Sequence, residues 1–169
     1  MCHDCQVEYE DPTNRRHHAQ PICCSACGPT VTLYNQCGKS LAENQSALIQ
    51  TIDFIKQGKI VAIKGIGGFH LACDAYQVKA IDQLRLRKKR PQKPLAIMVK
   101  SLEAVRNLCY ISRQEEDFLT SPEMPIVILK RKRDGVLPPN ISPGLSTVGV
   151  MLPYTPLHHL LFGNNQLEC

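Results

Sequence analysis

The chain has 169 residues, 43% of them hydrophobic, no tryptophan and a formal net charge of +5. That length suits one ordinary domain plus a small module. No apolar run approaches the roughly 18 residues of a membrane span, and Met1-Cys2-His3-Asp4-Cys5 lacks the basic start and apolar core of a secretion signal, so the cytoplasm is the expected location. The positive excess favours an anionic ligand, which composition alone leaves open between nucleotide and nucleic acid.

In chain order, Cys2-x-x-Cys5 and Cys24-x-x-Cys27 come first, with 18 residues between them. Two such knuckles can place four thiolates tetrahedrally around Zn²⁺, and so short a segment could hardly bury a core without metal. Nine cysteines, an odd count with only four at ligand spacing, argue against a disulfide framework. Cys23 competes with Cys24 but breaks the two-residue gap to Cys27, and His3, His17 or His18 could replace one thiolate. Gly28 permits a tight turn after the second knuckle. Residues 8–12 and 14–18 read as loop and turn, and Thr30 to Glu43 as a polar connector. The first module is therefore expected to span 1–43 and the second 44–169.

Asn44 or Ser46 can cap a helix with Leu48, Ile52 and Ile55 on one face, Ile49 widening it and Gly58 ending it. Lys59 to Lys64 reads as a strand, Gly65-Ile66-Gly67-Gly68 as a break, and Phe69 to Cys73 as a second strand. Three glycines in four residues suit either a plain β-bulge or a close backbone approach to a ligand. His70 lies between apolar residues, where a hydrogen-bonded core residue is the commoner reading.

Val78, Ile81 and Leu84 mark a helix that runs into the densest chemistry of the chain. Arg85, Arg87, Lys88, Lys89, Arg90 and Lys93 place six cations within nine residues, followed by the β-rich run Pro94 to Val99. Pro91 and Pro94 stiffen the crossover and stop a helix. Lys88, Arg90 and Lys93 held beside a sheet suit a phosphate-rich ligand, arginine as a fork and lysine as a point charge; the competing reading is a solvated face.

Ser101 then caps a helix with Leu102, Val105 and Leu108 inward. Ser112-x-x-Glu115 is a capping box for a helix that packs Phe118 and Leu119. Pro125 to Leu129 is a strand of buried type, with Lys130 to Arg133 as its solvated end. Thr147 to Leu152 is a strand, and Pro156 to Phe162 a helix carrying His158 and His159 as surface or packing residues. Alternation of helix and strand signals makes the second module α/β.

Three segments carry a resemblance: Lys64–Ala75 (KGIGGFHLACDA), Arg87–Ala96 (RKKRPQKPLA) and Ser142–Leu161 (SPGLSTVGVMLPYTPLHHLL). They resemble the YrdC-like ATP-binding domain, and with the preceding cysteine module they are similar to HypF-type carbamoyltransferases of hydrogenase maturation. The fold this implies is α/β, a small four-cysteine zinc module followed by a YrdC-like twisted mixed sheet with packed helices. The activity it implies is ATP·Mg²⁺-dependent formation of carbamoyl adenylate from carbamoyl phosphate-derived carbamate. The carbamoyl group is then passed to a cysteine of a partner protein and becomes a cyanide ligand of a nickel–iron hydrogenase.

By the same resemblance Lys88 and Arg90 meet phosphates and Lys93 supports them. Gly65, Gly67 and Gly68, with Lys64 and His70, line the adenylate pocket. Arg15 and Arg16 would face a partner domain rather than nucleic acid, for which no aromatic residues are interleaved among the cations. The family's Ser-Ala-Asn motif and its flanking domains are not matched, which implies an internal fragment with an incomplete, inactive adenylation domain. Alternatives are a threonylcarbamoyl-adenylate synthase, whose Thr-rich loop is here Gly65-Ile66-Gly67, a zinc-ribbon nucleic-acid binder, and a purely structural middle segment.

Overall fold

The computed structural model describes residues 1–133, 135–163 and 167–169, and divides into two compact units, Met1–Ala47 and Leu48–Cys169.

In the first unit, helix α1 (His3–Glu10) opens with Cys2 at its N-cap position, so Cys2 and Cys5 stand three residues apart on one turn. Residues 8–10, expected as loop, belong to this helix. The hydrogen bond from the Arg16 guanidinium to Glu8 explains why the helix runs that far: it ties the end of α1 to the next loop. Asp11 accepts from the backbone and hydroxyl of Thr13 at 2.8 and 2.7 Å, an Asx turn that starts the loop after the helix.

The expected polar connector is a hairpin, with β1 (Thr32–Tyr34) antiparallel to β2 (Ser40–Glu43). The Asn35 carboxamide accepts from the backbones of Cys37 and Lys39, both at 2.9 Å, and Gly38 takes φ +77°. These side-chain-to-backbone bonds fold a tight turn from residues that read only as polar.

Helix α2 (Asn44–Lys56) begins in the last residues of the first unit and continues into the second, where it buries Leu48, Ile52 and Ile55 and leaves Ile49 exposed. Asn44, a candidate cap, accepts instead from the Val31 backbone at 3.3 Å. Gly58 ends the helix at φ +76°, a left-handed conformation that glycine adopts without Cβ strain. Strands β3 (Val61–Lys64) and β4 (Phe69–Ala72) form an antiparallel hairpin pairing Ile63 with His70 and Lys64 with Phe69.

Helix α3 (Val78–Lys88) buries Ile81 and Leu84 and leaves Val78 half-exposed. Beyond it come β5 (Ala96–Met98), α4 (Leu102–Leu108), β6 (Cys109–Tyr110) and α5 (Arg113–Leu119). The series continues through β7 (Val127–Arg131), a short 3-10 helix (Pro139–Ile141), β8 (Thr147–Met151) and α6 (Pro156–Phe162). Ser101 accepts from Ala104 N at 3.2 Å, and Ser112 with Glu115 completes the expected capping box.

A four-stranded mixed sheet has the order β5-β8-β7-β6, parallel only between β5 and β8. Its packed face supplies Ile97, Leu129, Val148 and Val150, and Val99, Val105, Leu108 and Leu119 close the core against it. β7 is not buried on both faces as expected. Leu129 is fully buried while Ile126 and Ile128 are exposed, and Phe118 of α5 is exposed beside a buried Leu119. One packed sheet face and period-2 alternation account for the strand; in α5, Phe118 and Leu119 are successive residues of a helix, about 100° apart round its axis, and only Leu119 falls on the packed side. A second cluster joins Leu48, Ile52 and Ile55 to Leu161, with Val61 and Ile63 against it.

Candidate functional site

The cysteine cluster is assembled by α1 and the second knuckle. Cys2 Sγ lies 3.5 Å from Cys24 Sγ, Cys24 Sγ 3.9 Å from Cys27 Sγ, and Cys27 Sγ 3.7 Å from Cys5 Sγ. All four sulfurs fall within 4.8 Å of one another. Four thiolates at Zn–S distances near 2.3 Å sit about 3.8 Å apart in a tetrahedron, so the donor set and spacing fit zinc.

The environment of these thiols is uneven. Burial pushes Cys5 up to about 12, while backbone N–H groups of Cys2 and Cys24 draw Cys27 down to about 6. Gly28 serves by close approach: a Cβ there would lie 2.7 Å from the Cys24 carbonyl oxygen, which already accepts from Gly28 N at 2.7 Å. Arg16 also donates to the Cys23 carbonyl at 2.5 Å, so this cation braces the knuckle; Arg15 is exposed. Cys23 is exposed, and no histidine belongs to the cluster found among the described residues.

The second unit holds a cavity of about 330 Å³, within the range of small-molecule pockets. Its wall is mostly apolar, including Ile63, Leu84, Ile97, Met98 and Leu161, and it carries the cations Lys88 and Arg90 and the imidazoles of His70 and His158. Lys88 is the last residue of α3. Lys89 follows in the left-handed conformation (φ 50°) and donates its N–H to the carbonyls of Arg85 and Leu86. The helix thus stops before Pro91 is reached, because the residue ahead of a proline favours extended geometry.

What fixes the crossover is Arg85, 7% exposed. Its Nε donates to the Asn140 carbonyl at 2.6 Å and its Nη2 to the Ile141 carbonyl at 2.8 Å. Its Nη1 reaches the carbonyls of Arg90 at 2.9 Å, Lys93 at 3.0 Å and Pro91 at 3.4 Å. One planar fork therefore binds the crossover to the 3-10 helix, and among the described residues it has no carboxylate partner. Sequence reading counted Arg85 as one more cation; only burial separates it from its neighbours. Arg131 is a smaller case of the same kind. Expected on a solvated strand end, it is half-buried and donates to the carbonyls of Leu137 and Pro138.

The candidate residues fall into two groups. Lys88, Arg90 and His70 line the cavity; Lys64, Gly65, Gly67, Gly68 and Lys93 are not among its lining residues. The glycines instead shape the β3–β4 turn, where Gly65 N donates to the Gly68 carbonyl at 2.7 Å. A Cβ on Gly65 would stand 3.2 Å from His70 Nε2, so the bare backbone is what lets the imidazole lie beneath the turn. Lys93 is exposed, and its carbonyl rather than its ammonium is engaged by Arg85.

His158, first read as a surface or packing residue, is 3% exposed and lines the cavity. The ring of Tyr154 meets it edge-on at 4.7 Å, and the Tyr154 hydroxyl is 3.2 Å from His70 Nε2. Burial, reinforced by the charges of His70 and His159, pulls His158 down from its usual value. Cys73, also on the wall, is pushed up to about 11 by burial, an inert thiol. Among the described residues no helix is long and apolar enough to cross a membrane.

Comparison with known proteins agrees with both units. Residues 53–167 match the Sua5–YciO–YrdC family, described as telomere recombination, and residues 1–34 match the HypF finger. Carbamoyltransferase HypF of Rhodobacter capsulatus is 47% identical over 161 residues, which cover 95% of this chain and 21% of that protein. The crystal structure of HypF from T. kodakarensis superposes with a TM-score of 0.84 at 48% identity, covering 96% of this chain and 21% of that one. A full-length HypF in the phosphate- and nucleotide-bound form gives 0.81 at 43% identity, over 99% of this chain and 21% of that one. This chain thus spans about a fifth of the length of these relatives. It belongs to the Sua5–YciO–YrdC family and is homologous along nearly all of its length to HypF carbamoyltransferases, whose finger it carries at its N-terminus.

Proposed function

We propose that this chain is the nucleotide-binding part of a carbamoyltransferase serving nickel–iron hydrogenase maturation in the cytoplasm. The reaction activates carbamate, released from carbamoyl phosphate, as carbamoyl adenylate. A carbamate oxygen attacks the α-phosphorus of ATP, and the bond to pyrophosphate breaks. The sulfur of a cysteine on a maturation partner then attacks the carbamoyl carbon, the C–O bond to the phosphate breaks, AMP leaves and the thiol proton is lost. Residues 44–169 act on the nucleotide, and residues 1–43 form the zinc module, with Cys2, Cys5, Cys24 and Cys27 as ligands of a structural Zn²⁺.

The observation that carries this reading is the pairing of Lys88 and Arg90 on one apolar cavity of about 330 Å³, with the backbone between them fixed by Arg85. Phosphoryl transfer asks the protein chiefly for positioning and for cations placed where charge develops, and it needs no enzyme nucleophile. Lys88 and Arg90 meet the phosphates, and Mg²⁺ enters with ATP. Lys93 shapes the crossover. Lys64, Gly65, Gly67 and Gly68 form the turn that covers His70. The relative whose solved form is described as phosphate- and nucleotide-bound supports the same ligand class.

The test is equilibrium binding of ATP·Mg²⁺ to the full-length protein that carries this chain, with Lys88→Ala combined with Arg90→Ala. Removing two charge-assisted contacts is expected to weaken ATP by about a hundredfold or more. Unchanged affinity and unchanged carbamate-dependent ATP–pyrophosphate exchange would remove the assignment.

A further inference from the structure

The crossover that carries Lys88 and Arg90 leaves the end of α3 and enters β5, and both of its ends meet one acceptor. The Ile141 carbonyl accepts from Arg85 Nη2 at 2.8 Å and from the Leu95 N–H at 2.9 Å. Ile141 closes the 3-10 helix, a three-residue turn that has little to hold itself together. Pro139 brings no N–H to it, and its closing bond, from the Ile141 N–H to the Pro138 carbonyl, is long at 3.3 Å. Something outside the turn must fix it.

Asn140 does so. Its Nδ2 donates to the Val78 carbonyl at 3.0 Å and to Asp82 Oδ1 at 2.7 Å, and its backbone carbonyl accepts from Arg85 Nε at 2.6 Å. Val78, Asp82 and Arg85 stand at i, i+4 and i+7 of α3, one stripe of the helix, so the 3-10 helix is stitched along that stripe. A carboxamide is the short uncharged side chain that offers two donors from one nitrogen. Turned the other way, its oxygen would face a carbonyl and a carboxylate. Among the described residues Asn140 Oδ1 is buried with no hydrogen-bond partner. An alanine would avoid that cost, and the two donations from Nδ2 are what the asparagine gains against it.

We propose that Asn140, held by Asp82, is a positioning residue of the phosphate grip: it fixes the 3-10 helix to which both ends of the crossover attach, and so places Lys88 and Arg90 on the cavity. Neither Asn140 nor Asp82 is among the residues described as lining that cavity, so the pair acts through the backbone and touches no nucleotide. The inference rests on the nucleotide reading above and adds to it the residues that set the geometry of the grip.

The experiment is equilibrium binding of ATP·Mg²⁺ to the full-length protein that carries this chain, with urea unfolding run on every variant. Asn140→Asp keeps the shape of the side chain and turns both donations into repulsion, and it is expected to weaken ATP about tenfold. Adding Asp82→Asn restores the pair with its polarity reversed, and affinity is expected to return to within about threefold of the unsubstituted protein. In a background of Lys88→Ala plus Arg90→Ala, Asn140→Asp is expected to change ATP affinity by less than about twofold, because the groups it places are gone. A purely structural role would lower the urea midpoint without this dependence on the two cations. If Asn140→Asp fails to fold, Asn140→Ala removes the donations without adding repulsion and takes its place, with a loss of about fivefold expected. Three results would overturn the positioning role and leave the nucleotide reading standing: full ATP affinity in the folded Asn140 variant, no recovery on adding Asp82→Asn, or an undiminished loss in the background without the cations. Failure of the unsubstituted protein to bind ATP would overturn the nucleotide reading, and this inference with it.

Discussion

The guanidinium Nη1 of Arg85 donates to the carbonyl of Lys93 at 3.0 Å, so the basic run is folded around one of its own members. The buried cation holds the backbone from which Lys88 and Arg90 reach the cavity. Burying a charge without a counterion is expensive, and here the five carbonyls it serves meet that cost. The charge itself stays uncompensated by any carboxylate among the described residues, which leaves its field to an anion.

Arg85→Met is therefore expected to destabilise the protein by about 3 kcal/mol, as the carbonyls lose their donors. Urea denaturation measures that. ATP affinity should also fall although Arg85 does not line the cavity. Arg85→Lys, which restores charge without the planar fork, should recover part of the stability and little of the affinity. Full recovery of affinity by lysine would show that charge alone, and not the held backbone, is what Arg85 supplies.

Lys89 occupies a left-handed position, φ 50°, where a Cβ is strained. Lys89→Gly should relieve that strain and raise stability by about 0.5–1 kcal/mol, with ATP affinity unchanged because Lys89 does not line the cavity. Thermal unfolding and ATP titration read the two halves of this expectation separately.

In the zinc module, Gly28→Ala would put a Cβ 2.7 Å from the Cys24 carbonyl, and the knuckle backbone must move. Zinc content after dialysis should drop. Gly67→Ala in the other unit is the control, since nothing lies within 4 Å of its would-be Cβ. Stripping zinc with a strong chelator should unfold residues 1–34 first, because folding and metal binding are one process in so small a module. Amide exchange resolves this: protection should be lost in the module and kept in the Leu129 and Val150 strands.

Acid should act on the packing of α4 and α5. Glu116 is held below the usual carboxylate range by the Arg106 guanidinium, from which it accepts at 2.7 and 2.8 Å. Glu115 is held down by the backbone N–H and hydroxyl of Ser112. With folded values depressed, the stabilisation is present above the unfolded carboxylate pKa, about 4.3, and is lost as pH falls through the folded values. Urea midpoints should therefore drop below about pH 4, and Arg106→Gln should flatten the Glu116 share of that drop. An unchanged pH profile in Arg106→Gln would remove the assignment.

The four-cysteine cluster was legible in the chain because CxxC spacing is itself geometry: residues three apart on a turn must be neighbours, as Cys2 and Cys5 are. The helices with Ser101 and Ser112 caps were legible because capping is local. Tertiary structure alone decided the rest. Lys88 and Arg90 meet a cavity and Arg85 does not, although all three read as the same cation, because burial depends on what packs against the crossover. His70 and His158, 88 positions apart, become neighbours only when the β3–β4 hairpin and α6 close on one space. The face of β7 that packs was likewise invisible in a run of apolar residues, since only a partner layer tells Leu129 from Ile128. Local spacing writes chemistry that a few residues can complete by themselves; chemistry that joins distant residues exists only once the core has chosen which side chains to enclose.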